Sequence, residues 1–152
     1  MRVMVIGGGG REHAVIKKLK QNKSITALYA LPGNGGIAGE AVCVNIGATD
    51  LEAQVRFAVE NNIDYAVVTP DDPLCLGAVD MLTNAGIPCF GPNRAAAVIE
   101  GSKVFSKNLM KKYGIPSAEY AVFDNAEEAL LYLKTASLPA VIKADGPALG
   151  KG

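Results

Sequence analysis

The sequence is poor in the residues that build metal centres and disulfide frameworks. It holds one histidine, His13, and three cysteines, Cys43, Cys75 and Cys89, with no C-x-x-C pair. A lone histidine and scattered thiols lack zinc-site spacing, and an odd cysteine count closes no disulfide set. A reducing, cytoplasmic setting suits such a chain. The apolar neighbours of all three cysteines predict buried structural thiols. A prevailing charge is missing too, because 15 basic and 15 acidic residues cancel. Zero net charge exerts no global pull on nucleic acid or an anionic membrane, so any anion site must be local. No apolar run approaches roughly 18 residues, so no segment is a candidate membrane span. Residues 1–6 meet glycine too soon to serve as a secretory signal.

What is present describes a globular chain with a real core: 152 residues, 49% hydrophobic and 20% charged. Strand-like runs at 2–6, 25–31, 42–46, 65–68 and 88–90 alternate with helical stretches. One helix is predicted over 12–20. Thr49 and Glu52 have capping-box spacing, and Leu51, Val55, Ala58 and Val59 follow on one helical face. Cys75, Ala78, Val79 and Leu82 repeat that spacing, and Gly86 and Pro88 close the helix. Such alternation predicts right-handed βαβ units, an α/β fold and a parallel sheet, with its ligand crevice at the carboxyl ends of the strands. The turns at 7–10, 32–36, 69–73 and 91–93 each follow a strand and occupy that edge.

Beyond Pro92 the pattern changes. Helices are predicted over 95–100 and 102–113, a strand over 119–123, a helix capped by Asp124 and Glu127, and a buried strand over 138–144. A domain boundary is expected near Gly101, dividing the chain into residues 1–101 and 102–152.

Two segments suit phosphate. Gly7, Gly8, Gly9 and Gly10, followed by Arg11, Glu12 and His13, join a strand to a helix. Without Cβ atoms, an anion can approach backbone N–H groups at a helix N-terminus, where the dipole favours negative charge. A dinucleotide fingerprint would need glycine where Glu12 or His13 stands and an acid after the second strand, where Pro32 and Gly33 stand. A nicotinamide-dependent oxidoreductase is therefore disfavoured. Asn34 and Gly35 lie in a second flexible loop on the same edge, able to complete a sugar-phosphate pocket or to act as a plain turn. Asp71 is expected to face a ribose hydroxyl and Asp72 to cap the following helix. His13 is a candidate donor beside the anion loop or a local structural cap.

The second segment is the run from Lys143 to Gly152, two lysines bracketing a glycine-rich loop that suits the phosphates of a nucleotide. It is not a Walker A loop, because three residues rather than four separate Gly146 from Gly150, and Gly152 rather than Ser or Thr follows Lys151. A loop of this kind needs a returning strand and none follows. The chain therefore reads as the front part of a nucleotide-using enzyme, expected to be inactive alone. The competing reading is a non-catalytic sugar-phosphate or nucleotide binding module.

Several strings, in order, resemble one family: GGGGREHA from Gly7, PGNG from Pro32, PLxxGxxD from Pro73, FGP from Phe90, EGSK from Glu100, GIP from Gly114 and KADGxAxGKG from Lys143. Together they are similar to the glycinamide ribonucleotide synthetases, the phosphoribosylamine–glycine ligases of purine synthesis. The resemblance implies a Rossmann-like preATP-grasp domain followed by the truncated start of an ATP-grasp domain. It implies glycine, 5-phosphoribosylamine and ATP as small-molecule substrates, with Mg2+ or Mn2+ assisting. Nucleic acid and membrane are not among the implied partners. It places Gly8, Gly9, Gly10, Arg11 and Glu12 toward phosphoribosylamine. Lys103, Lys143, Gly146, Gly150, Lys151 and Gly152 fall toward ATP. The catalytic and metal-binding carboxylates would lie beyond Gly152. Thr69 stands where the family usually has glycine, Asp71 where it has glutamate, and Pro147 where it has leucine. Proline there fixes φ and predicts a stiffer loop.

Overall fold

A computed structural model describes residues 1–148. The chain divides into two compact units, Met1–Val98 and Ile99–Gly152.

The first unit is built on five parallel strands: β1 (Arg2–Gly7), β2 (Ala27–Pro32), β3 (Val42–Cys43), β4 (Tyr65–Val68) and β5 (Cys89–Phe90). Their spatial order is β3-β2-β1-β4-β5. The centre of β1 is a continuous apolar run, and Val3, Met4, Val5 and Ile6 are all buried. That pattern marks a strand covered on both faces. Alternate residues serve opposite layers. Val3 and Val5 pack with Ile16, Leu28, Ala30 and Ile37 on one face. Met4 and Ile6 pack with Leu31, Ala58, Val68 and Leu82 on the other. Helices α1 (Gly10–Leu19), α2 (Leu51–Glu60), α3 (Asp71–Leu76), α4 (Ala78–Asn84) and α5 (Arg94–Gly101) follow in chain order.

The chain runs from β1 outward through β2 to β3, then returns to β4 on the opposite side of β1. This reversal places a crevice between the carboxyl ends of β1 and β4, the position where open α/β sheets receive ligands. Gly7 pairs with Pro32, and Ile6 with Val68, so three strand ends lie level at its mouth.

Several local expectations are corrected. The stretch from Cys75 to Leu82 is two helices rather than one, because Gly77 adopts φ +97° and caps α3. Asp72 is not a cap. Pro70, extended at ψ 144°, is the N-cap, and Asp71 and Asp72 form the acidic first turn of α3, where they complement the helix dipole. Asp50, not Thr49, caps α2, accepting from Ala53 N–H at 3.1 Å. Cys43 is exposed and Cys75 and Cys89 are half-buried, so the cysteines are not core thiols. Strand β3 is so short that its side chains stay at the sheet edge.

In the second unit, Ser102 caps α6 (Lys103–Lys112), accepting from Phe105 N–H at 3.0 Å. Asn125, not Asp124, caps α7 (Ala126–Leu133), accepting from Glu128 N–H at 2.9 Å. The strands expected over 119–123 and 138–144 are absent, and both stretches are irregular. Their composition suits a strand, but a strand exists only through a ladder, and no described segment pairs with them. Leu138, Val141 and Ile142 are consequently 78%, 79% and 82% exposed. No helix among the described residues is long and apolar enough to cross a membrane.

Candidate functional site

The first unit gathers its candidate residues at the switch point. Helix α1 opens with Gly9 as an extended N-cap that has no side chain to offer. The first intrahelical bond is donated by His13 N–H to the Gly9 carbonyl at 3.1 Å. Helix geometry leaves the amides of Gly10, Arg11 and Glu12 without a carbonyl one turn back. These donors, at the positive end of the helix dipole, form an anion cradle. Arg11 is exposed beside it.

Glu12 is 6% exposed, and its carboxylate turns inward. Oε2 accepts from Gly9 N–H at 2.7 Å, and Oε1 accepts from the Thr69 hydroxyl at 2.6 Å. One side chain thereby ties the glycine turn to the end of β4. The Gly9-to-Glu12 spacing is half of a capping box, a signal readable in the sequence. The Thr69 partner, 57 residues away, carries no local signal.

The loop after β2 locks against the same turn. Gly33 N–H donates to the Gly7 carbonyl at 3.1 Å. The Asn34 amide donates to the Gly8 carbonyl at 2.7 Å, while its oxygen accepts from Ile37 N–H at 2.9 Å. The backbones approach so closely that a Cβ on Gly8 would lie 2.4 Å from the Gly33 carbonyl oxygen. Gly35 has open space around it. Nε2 of His13 is buried with no hydrogen-bond partner, and the adjoining Cε1 would lie 3.0 Å from a Cβ on Gly36.

Asp71 lies half-buried in the first turn of α3, just past Thr69. An open cleft of about 520 Å³ runs from Thr69 and Leu74 to Phe90, Gly91 and Pro92. Cys89 also lines it. Burial pushes its thiol up, and the Sγ donates to the Ile87 carbonyl at 3.2 Å. The thiol is therefore kept protonated, unlike an activated nucleophile.

The second unit brings two of the remaining candidates together, Lys103 and Gly146. The Lys103 ammonium donates to the Gly146 carbonyl at 2.5 Å. Asp145, which precedes Gly146, accepts from Ser102 Oγ at 3.0 and 3.2 Å and from Val104 N–H at 3.3 Å. The backbone donor of Val104, with Ser102 and further amides, holds the Asp145 carboxyl below the usual carboxylate range. The glycine-rich segment is thus anchored at its base to the start of α6. Lys143 is exposed. Gly150, Lys151 and Gly152 lie outside the described residues. Among the described residues no group of three or more His, Cys, Asp or Glu side chains can hold a metal ion.

A parallel sheet with an amide-lined turn at its switch point defines an open, doubly wound α/β protein. The particular family follows from comparison: the chain belongs to the phosphoribosylglycinamide synthetases. Residues 1–100 match the family described as "Phosphoribosylglycinamide synthetase, N domain". Residues 101–152 match "Phosphoribosylglycinamide synthetase, ATP-grasp (A) domain". Over 152 residues the chain is 51% identical to a phosphoribosylamine–glycine ligase of Clostridium acetobutylicum and 49% identical to that of Caldanaerobacter subterraneus. It spans 36% of the length of either relative. A crystal structure of phosphoribosylamine–glycine ligase from Thermotoga maritima is similar over the whole chain, with 31% identity and a TM-score of 0.75, and the match covers 35% of that structure. N5-carboxyaminoimidazole ribonucleotide synthetase from Thermus thermophilus shares the fold at 21% identity and a TM-score of 0.63, covering 90% of this chain and 37% of that one.

Proposed function

We propose that this chain forms the sugar-phosphate end, and the opening of the nucleotide site, of a ligase that joins glycine to 5-phosphoribosylamine. In that reaction ATP phosphorylates the glycine carboxylate, giving glycyl phosphate and ADP. The phosphoribosylamine nitrogen then attacks the acyl carbon, and the C–O bond to phosphate breaks. The products are glycinamide ribonucleotide and phosphate. Magnesium, or manganese, would neutralise the transferring phosphoryl group. A cytoplasmic location accords with this biosynthetic role.

The observation that carries the reading is the set of unpaired amides at the start of α1, lying at the switch point of a parallel sheet. On this reading Gly8, Gly9, Gly10 and Arg11 surround the 5-phosphate. Asn34 and Gly35 form the rim, and Asp71 accepts from a ribose hydroxyl. Lys103, Lys143, Gly146, Gly150, Lys151 and Gly152 serve the phosphates of ATP, with the division between the two parts near residue 101. Support for a local rather than a global anion site comes from the neutral net charge.

Titration of the isotopically labelled chain with ribose 5-phosphate tests the reading. Amide shifts are expected to concentrate at residues 8–12 and 33–36. Saturable shifts elsewhere, with those amides unmoved, would overturn it.

A further inference from the structure

Glu12 is the one acidic side chain of the anion turn, and a carboxylate pointing at a phosphate would repel it. Its geometry avoids this. The carboxylate faces inward, 6% exposed, with one oxygen on Gly9 N–H and the other on the Thr69 hydroxyl. It also fills the space beside Gly7, where a Cβ would lie 2.7 Å from Glu12 Cγ and 2.8 Å from Pro70 Cγ. Gly7 sits at φ +119°, so the turn has both the room and the backbone freedom to fold around that carboxylate.

The geometry points to Glu12 and Thr69 as positioning residues: Thr69 fixes the Glu12 carboxylate, and Glu12 in turn holds Gly9 so that the amides of Gly10 and Arg11 face outward to an anion. This rests on the sugar-phosphate reading of the same turn. Gly9 lacks a capping side chain, so its N–H is free to rotate toward solvent unless something accepts it. Glu12 accepts it from below. An ionised carboxylate with two short donors is held more firmly than one with a single donor. Thr69 supplies the second donor from the turn just past β4, which converts a local helix cap into a tie across the crevice. Without Thr69 the carboxylate can swing from its inward position toward the amides of Gly10 and Arg11, into the space the phosphate needs.

The test compares Thr69→Val, which keeps the side-chain shape and removes the donor, with Thr69→Ser, which keeps the donor. Two readouts are taken on the 152-residue chain: hydrogen exchange of the Gly9 amide, and the dissociation constant for ribose 5-phosphate by calorimetry. Exchange at Val5 and Val67 reports whether the sheet is intact. Thr69→Val is expected to speed Gly9 exchange about tenfold and weaken ribose 5-phosphate about tenfold, the scale of one hydrogen bond to a charged group. Thr69→Ser is expected to restore both. Gly9 exchange unchanged in Thr69→Val would overturn the proposal. So would faster exchange with equal or tighter binding, the outcome if Glu12 touched the sugar directly. Should the wild-type chain fail to bind ribose 5-phosphate, the functional reading falls, and Gly9 exchange alone then decides whether the tie holds the turn.

Discussion

Gly8 makes the tightest backbone approach in the anion turn. A Cβ there would sit 2.4 Å from the Gly33 carbonyl oxygen and 3.0 Å from its carbon, and both belong to main chain that cannot rotate away. Gly10 stands two residues on with nothing within 4 Å of its Cβ position. The two glycines therefore separate a packing requirement from mere flexibility. Gly8→Ala is expected to cost about 1–3 kcal/mol, the usual range for overpacking. Gly10→Ala is expected to be neutral or to stabilise by up to about 1 kcal/mol, since alanine suits a helix better. Urea denaturation measures both, and equal costs at the two positions would refute the assignment of the close contact to Gly8. The run of four glycines was legible in the sequence because backbone access is a property of the residue itself. The inward turn of Glu12 was not, because Thr69 lies 57 residues away. The apolar neighbours of Cys43 also misled, because strand β3 is a two-residue edge strand with both residues exposed.

Elements with a ladder or a cap of their own were easier to read than elements that depend on a distant neighbour. Strands β1 and β4 are short β-branched runs ended by glycine or by Thr-Pro, and their bounds follow from that punctuation. Helix α2 shows how a cap is decided outside the motif. Thr49 has the sequence spacing, yet Asp50 takes the role, one residue later. The cause is Gln54, fully buried, whose amide nitrogen donates to the Gly47 and Ala48 carbonyls at 2.9 and 2.7 Å and pins the loop that enters the helix. Asp50→Ala is expected to lose about 1 kcal/mol of stability, the common cost of a lost N-cap, while Thr49→Ala should stay within about 0.5 kcal/mol. Chemical denaturation of the two variants checks this, and the reverse ranking would mean that the helix starts one residue earlier. The apolar stretch over 138–144 marks the opposite case. Its composition is that of a buried strand, but burial requires a partner surface, and none of the described residues provides one.

At the scale of the whole chain, packing is unevenly shared between the two units. Every buried apolar residue of the described chain lies at or before Ala97. Helices α6 and α7 carry no buried residue. The parallel sheet instead holds β1 between two layers, with Met4, Val5 and Ile6 fully buried. Local opening free energy follows buried apolar contact, so the two units should not share one stability. Amides in the middle of β1 and β4 are expected to exchange only through global unfolding of the first unit. Those of α6 and α7 should exchange at least about 100-fold faster, through local opening that the sheet does not resist. Native-state hydrogen exchange by NMR reads both sets in one sample. Mild urea adds a second discriminant: the sheet amides should show a steep denaturant dependence and the helix amides a shallow one, because the slope scales with surface exposed on opening. Equal protection with equal slopes in both sets would show instead that α6 and α7 open only together with the sheet, and a single cooperative unit would then replace the two described here.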